Sequence, residues 1–166
     1  LLPGRALSVG DLRSDYVRRL GTFKNARYAW GGESRHGIDC SGLPRRAFRE
    51  ALLAYGLRNL NGTAIREGVL QWWVDASALA LGKGYRGMTV PLGIQGPIRT
   101  LDVSRLQPGD LAVTTSGVHM LAYLGDEEWI QADPSVEAVI ALNGRTAANA
   151  WFDQPVILHR WALLAP

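Results

Sequence analysis

Tyr28-Ala29-Trp30-Gly31-Gly32-Glu33-Ser34-Arg35-His36-Gly37-Ile38-Asp39-Cys40-Ser41-Gly42-Leu43 is the stretch on which the reading of this chain turns. It holds Cys40, the single cysteine among 166 residues. Just after it, Leu43, Ala47, Ala51 and Ala54 fall at helical spacing and predict a helix over Cys40–Tyr55. Pro44 lies in its first turn, where a missing N–H costs little, and Gly56 reads as its stop. A cysteine at a helix start has a chemical meaning. Unpaired backbone N–H groups and the positive end of the helix dipole favour the thiolate, which is the nucleophilic form. Gly31, Gly32, Gly37 and Gly42 permit close backbone approach beside it. Asp39 and Ser41 are poor neighbours for a merely buried, hydrophobic cysteine, so the reactive reading is preferred.

One cysteine excludes an internal disulfide framework and any zinc site with two cysteine ligands from this chain. His36 and Cys40 find no convincing third ligand, so no metal or cofactor is implied. Apolar residues at 47% and charged residues at 20% are ordinary for a globular domain. The net charge of +3 suits an anionic partner. The chain has no basic run that would serve as a nucleic-acid arm and no apolar stretch of membrane-spanning length. Composition leaves the oligomeric state open.

Further out, Ser8–Leu20 predicts a helix, with Ser8 as cap, Asp11 in the first turn, and Leu12, Tyr16, Val17 and Leu20 on one face. A helix is expected around Ala64–Leu81. Gly82–Pro97, with five Gly and two Pro, reads as loop with short extended pieces. Strands are expected at Leu111–Thr114, Val118–Leu124, Glu128–Ala132 and Val156–Leu163, the last closing the sheet. Helices first and an antiparallel sheet afterwards is an α+β order within a single domain, residues 1–166, with an insert at about 57–105.

The motif around Cys40 resembles the signature of the NlpC/P60 papain-like cysteine peptidases. A second block agrees: Leu106-Gln107-Pro108-Gly109-Asp110-Leu111, then Gly117-Val118-His119, then Tyr123-Leu124-Gly125-Asp126. The resemblance implies a papain-like core, with the nucleophile helix packed on an antiparallel sheet. It makes Cys40 the nucleophile, His119 the general base and Gln131, 12 positions after the histidine, the residue that orients it. Simple hairpin register favours Asp133 as a rival orienter. By the same resemblance Tyr28, Asp39 and Ser41 bind substrate. On sequence alone Asp39 serves equally well as a helix-start cap.

The implied activity is hydrolysis of amide bonds in peptidoglycan stem peptides, at or near the D-glutamyl–diamino acid bond, through an acyl-enzyme. The implied place is the bacterial cell envelope, periplasmic or secreted, given a leader removed upstream of Leu1. A papain-like amidase or acyltransferase on another amide or lipid, and a catalytically silent wall-binding module, are the alternatives. Trp30 is expected to pack the groove wall, Arg45 and Arg46 to form a solvated helix face, and His159 to be structural. Trp72, Trp73 and Tyr85 in the insert are expected to form either a groove wall or a satellite hydrophobic cluster. The Leu43-Pro44-Arg45 sequence departs from the two apolar residues usual after Cys-Ser-Gly.

Overall fold

The computed structural model describes residues 6–165. Helix α1 spans Val9–Gly21, begun by the Ser8 side chain, which accepts from the Asp11 amide. Leu12, Tyr16 and Leu20 bury one side of it, as their spacing requires. Helix α2 spans Gly42–Asn59 and carries Pro44 in its first turn. Gly56 does not stop it. A Cβ there would stand 2.6 Å from Ile65 Cγ1, so the bare glycine lets the next helix close against α2. The stop comes at Leu60, which adopts the left-handed conformation with φ 50°.

The helix expected over Ala64–Leu81 is two helices, α3 at Gly62–Trp73 and α4 at Ala78–Gly82, capped by Asn61 and Ser77. Arg45 accounts for the break. It is buried rather than solvated. Its guanidinium donates to the Val74 carbonyl at 2.9 Å, the Ala76 carbonyl at 3.4 Å and Asp75 Oδ1 at 2.6 Å. Carbonyls left over past a helix end need donors, and Arg45 supplies them from the neighbouring helix.

A short ribbon, β1 (Glu33–Ser34) and β2 (Gly37–Ile38), precedes α2. The main sheet is antiparallel and comprises β3 (Thr89–Pro97), β4 (Leu111–Thr114), β5 (Met120–Gly125), β6 (Glu128–Asp133), β7 (Ala138–Asn143) and β8 (Pro155–Trp161). Their order is β3-β8-β4-β5-β6-β7. The Gly/Pro-rich stretch expected as loop therefore supplies an edge strand, β3, whose register breaks between Pro91 and Gln95. Edge strands tolerate such residues because one side of the ladder needs no partner. Strand β7 is not among the expected strands, although Ala138-Val139-Ile140-Ala141-Leu142 is an apolar run closed by Asn143-Gly144. Strand β8 is flanked on both sides, by β3 and β4, and so does not close the sheet at an edge.

Alternation along the strands sends side chains to two cores. Leu111, Val113, Met120, Ala122, Ile130 and Trp161 face α1 and α2. There Phe48 stacks on Trp161 at 4.6 Å and meets the edge of Tyr16 at 5.2 Å. Ala112, Leu121, Tyr123, Trp129 and Leu158 face the other way, under Ile98, Leu101 and Phe152 from the connecting segments. Asp110 is fully buried and grips Arg160 with two bonds of 2.7 Å, which ties the entry of β4 to β8. Among the described residues, no helix is long and apolar enough to cross a membrane.

Candidate active site

The Cys40 side is built from a short piece of backbone. Asp39 Oδ1 accepts from the Ser41 amide at 3.0 Å, the Ser41 hydroxyl at 3.0 Å and the Gly42 amide at 2.6 Å. Its Oδ2 accepts from the Gly31 amide at 3.0 Å. One carboxylate thus caps α2 and pins the glycine loop to it. Gly42 is required by this closure: a Cβ would lie 2.3 Å from the Gly32 carbonyl oxygen. The result fixes Cys40 just ahead of α2, half-buried, with Sγ 4.0 Å from the carbonyl oxygen of Val118. Cys40 therefore touches the turn that carries His119.

Burial pushes the Cys40 thiol up to about 11, and the Asp39 charge adds to the rise. Backbone N–H groups of Met120, Ser41 and Cys40 pull the other way without prevailing. The helix start favours the thiolate as expected, but desolvation outweighs it, so the resting form is the thiol. Tyr28 is half-buried nearby. Its hydroxyl is raised first by burial and then by the charges of Cys40 and Asp39. Tyr28, Asp39 and Ser41 thus cluster around the cysteine, and Asp39 and Ser41 are tied up in the cap.

The base side is built from side chains. His119 is buried ahead of β5, its amide donating to Thr114 Oγ1 at 3.1 Å. Its Nε2 lies 2.6 Å from Gln131 Oε1. The amide oxygen is an acceptor, so Nε2 carries the hydrogen and the Nδ1 lone pair is left as the basic one. Ala122 faces Ile130 and Tyr123 faces Trp129. Continuing that register sets Asp133 opposite His119, as simple hairpin geometry anticipates, yet the bond runs diagonally to Gln131. Asp133 is engaged elsewhere, accepting from the Ser135 amide at 2.8 Å, the Ser135 hydroxyl at 2.6 Å and Asn149 Nδ2 at 2.8 Å. Burial works to raise the Asp133 carboxyl, but these donors and Trp151 hold it below its ordinary value. Burial lowers the His119 imidazole, against the opposing pull of the Gln131 bond and the Asp133 charge.

Two residues of the site gave no signal in the sequence. Trp151 stacks on the His119 ring, centroids 4.0 Å apart and planes within 21°. Its Nε1 reaches Asp133 Oδ1 at 3.4 Å, beside Asn149. Both lie in an irregular segment without periodicity, and only the fold brings them over the hairpin.

Trp30 stands on the groove wall, as expected, but is not packed into it. It is 89% exposed at the rim of an open groove of about 540 Å³ that Asp39, Ser41, Trp72 and Trp73 also line. Of the other histidines, His36 sits exposed in the β1–β2 turn. His159 is buried in β8, its ring nitrogens without a protein partner among the described residues.

Residues 25–154 match the model of the NlpC/P60 family. This chain belongs to the NlpC/P60 family. Both sequence blocks that carry the resemblance fall inside the matched region. Among curated proteins, the murein DD-endopeptidase MepS/murein LD-carboxypeptidase of Escherichia coli K12 is 25% identical over 134 residues, 79% of this chain and 55% of that protein. The chain thus spans about half the length of the curated relatives it matches. Among solved structures, the peptidoglycan hydrolase RipB of Mycobacterium tuberculosis superposes with a TM-score of 0.56 at 23% identity, over 92% of this chain and 65% of that one. NlpC1 of Trichomonas vaginalis gives 0.61 at 15% identity, over 96% and 46%. The fold is the α+β, papain-like fold of NlpC/P60 domains.

Proposed function

We propose that this NlpC/P60 domain hydrolyses amide bonds in the stem peptides of bacterial peptidoglycan, at or near the D-glutamyl–diamino acid bond, through an acyl-enzyme on Cys40. The observation that carries the mechanism is the His119–Gln131 bond, beside a cysteine whose sulfur touches the histidine's own turn. Because burial disfavours both charged forms, thiol and imidazole start neutral. His119 Nδ1 takes the thiol proton as sulfur attacks the carbonyl carbon. The Cys40 backbone N–H supports the oxyanion, and His119 returns the proton to the leaving amine. Water, deprotonated by His119, then releases the acyl group.

Gln131 holds the imidazole in the tautomer that leaves Nδ1 free. Tyr28, Asp39 and Ser41 are the substrate-binding residues of this reading, Asp39 and Ser41 facing the groove. Membership in the NlpC/P60 family and the names of the relatives, a murein endopeptidase and a peptidoglycan hydrolase, support the substrate class. They also support the cell envelope as the place where the domain works.

Defined muropeptides incubated with the protein and analysed by mass spectrometry test this. Wild type should release two peptide fragments, and Cys40→Ala none, with an unchanged circular dichroism spectrum. Turnover retained by Cys40→Ala sinks the mechanism. Intact muropeptides with wild type sink the substrate class.

A further inference from the structure

The groove beside Cys40 holds more aromatic surface than peptide cleavage needs. Trp30, Trp72 and Trp73 are 89%, 63% and 82% exposed, and all three line it together with Asp39 and Ser41. Large apolar rings gathered in water mark a binding surface. The Trp72 indole is held in place. Trp72 and Trp73 sit in the last turn of α3, and the Arg49 guanidinium lies 5.0 Å over the Trp72 ring. The α3 end is in turn fastened to α2 through Arg45 and the Val74 carbonyl.

We infer that this groove binds the neutral glycan of the substrate, stacking N-acetylated pyranose rings on the indole faces. The inference rests on the peptidoglycan reading above and extends it from the stem peptide to the sugar that carries the stem. The groove's charge selects among ligands. Glu33 and Asp75 join Asp39 along its wall. Arg45 lies 2.6 Å from both Glu33 and Asp75, yet the Asp75 side chain stays 94% exposed. The open Asp75 carboxylate repels an anionic ligand, and an acyl chain would desolvate it without giving a hydrogen bond. Sugar hydroxyls and acetamide N–H groups donate to it, while pyranose C–H bonds meet the rings. Consecutive helix residues project about 100° apart, so Trp72 and Trp73 form separate platforms, unlike a cage around one ammonium group. Asp39 and Ser41 flank the nucleophile and also line the groove, so a ligand stacked there runs continuously into the reacting centre.

The test compares one stem peptide with the same peptide carrying its disaccharide. Wild type should favour the glycan-bearing form by about tenfold in kcat/KM. Trp73→Ala should erase that preference through KM, raising KM for the glycan-bearing form far more than for the bare peptide, and Trp73→Tyr should restore much of it. Independently of turnover, chitotetraose titrated into isotope-labelled Cys40→Ala protein should shift the indole N–H resonances of Trp30, Trp72 and Trp73, and leave buried Trp129 and Trp161 unmoved. Equal turnover of the two substrates by wild type, or an equal loss on both in Trp73→Ala, overturns the inference. So does an absence of indole shifts with chitotetraose, or shifts produced by lysine amide instead. If wild type cleaves neither substrate, the function proposed above fails, while the chitotetraose titration still decides the groove.

Discussion

The two sides of the candidate centre are made in opposite ways. The cysteine side is local. Asp39 satisfies amides from Gly31 to Gly42, and the site faces an open groove. The histidine side is distant in sequence and dry. His119, Gln131 and Asp133 are buried and are covered by Trp151 and Asn149 from far along the chain. Each side holds a carboxylate, and in each the oxygens are spent on hydrogen bonds that set shape. The difference is access: Asp39 remains at the edge of a groove, whereas Asp133 has none. A carboxylate near a catalytic residue is therefore not by itself a catalytic carboxylate.

Removing the imidazole breaks the histidine side outright. His119→Ala should lower kcat by about 10²- to 10⁴-fold, measured on muropeptide cleavage. Gln131→Ala sharpens the contrast, with a loss of roughly 10- to 100-fold in kcat and little change in KM, since only the imidazole's tautomer and aim are released. Asp133→Ala should act mainly on the fold. It leaves Ser135, Asn149 and Trp151 donors unpaired, costing about 3 kcal/mol in urea unfolding. A carboxyl held below its ordinary value stabilises the fold above the usual range near 3.9 and loses that effect as pH falls through the lowered value. Asp133→Ala should accordingly flatten the acid limb of the stability profile. A greater kcat loss in Asp133→Ala than in Gln131→Ala would reverse the assignment of orienter.

On the cysteine side the expected effects are smaller. Asp39→Ala should cost about 1 kcal/mol through the lost cap. It should also move the pH profile of iodoacetamide labelling, because Cys40 loses a neighbouring negative charge. In wild type that labelling should climb toward pH 11 instead of saturating near neutrality. The acid limb of kcat/KM should fall below the ordinary imidazole value, since His119 must be neutral to act and burial keeps it so. An acid limb at or above that value would show that burial does not govern the base.

The same contrast explains what could be read from the sequence. Helix α1, helix α2 and the cap at Asp39 are set by neighbours within a few residues, and their signals are short-range. Gln131 was accessible through the family resemblance, since simple hairpin register points to Asp133. The burial of Arg45 was not, because its partners Val74, Asp75 and Ala76 belong to another helix. The Trp151 stack was hidden for the same reason. Strand β3 was masked by glycines and prolines that an edge position accepts. The thiol's high pKa followed from desolvation, which a helix-start argument leaves out.

Strand β8 gives the molecule an order of assembly. Residues 155–161 lie between β3 and β4, so both must wait for a segment made long after them. Helices α1 and α2 meet through contacts close in sequence and can pack while the ribosome is still working; the sheet has to close long loops first. Until Arg160 arrives, Asp110 lacks the guanidinium that grips both its oxygens, and its other cation, Arg13, stands 3.9 Å away. The hairpin bearing His119 joins β4 directly, so its support comes late as well. A candidate centre completed only once residues 155–161 have been made is one whose nascent chain carries a cysteine before the support of its histidine.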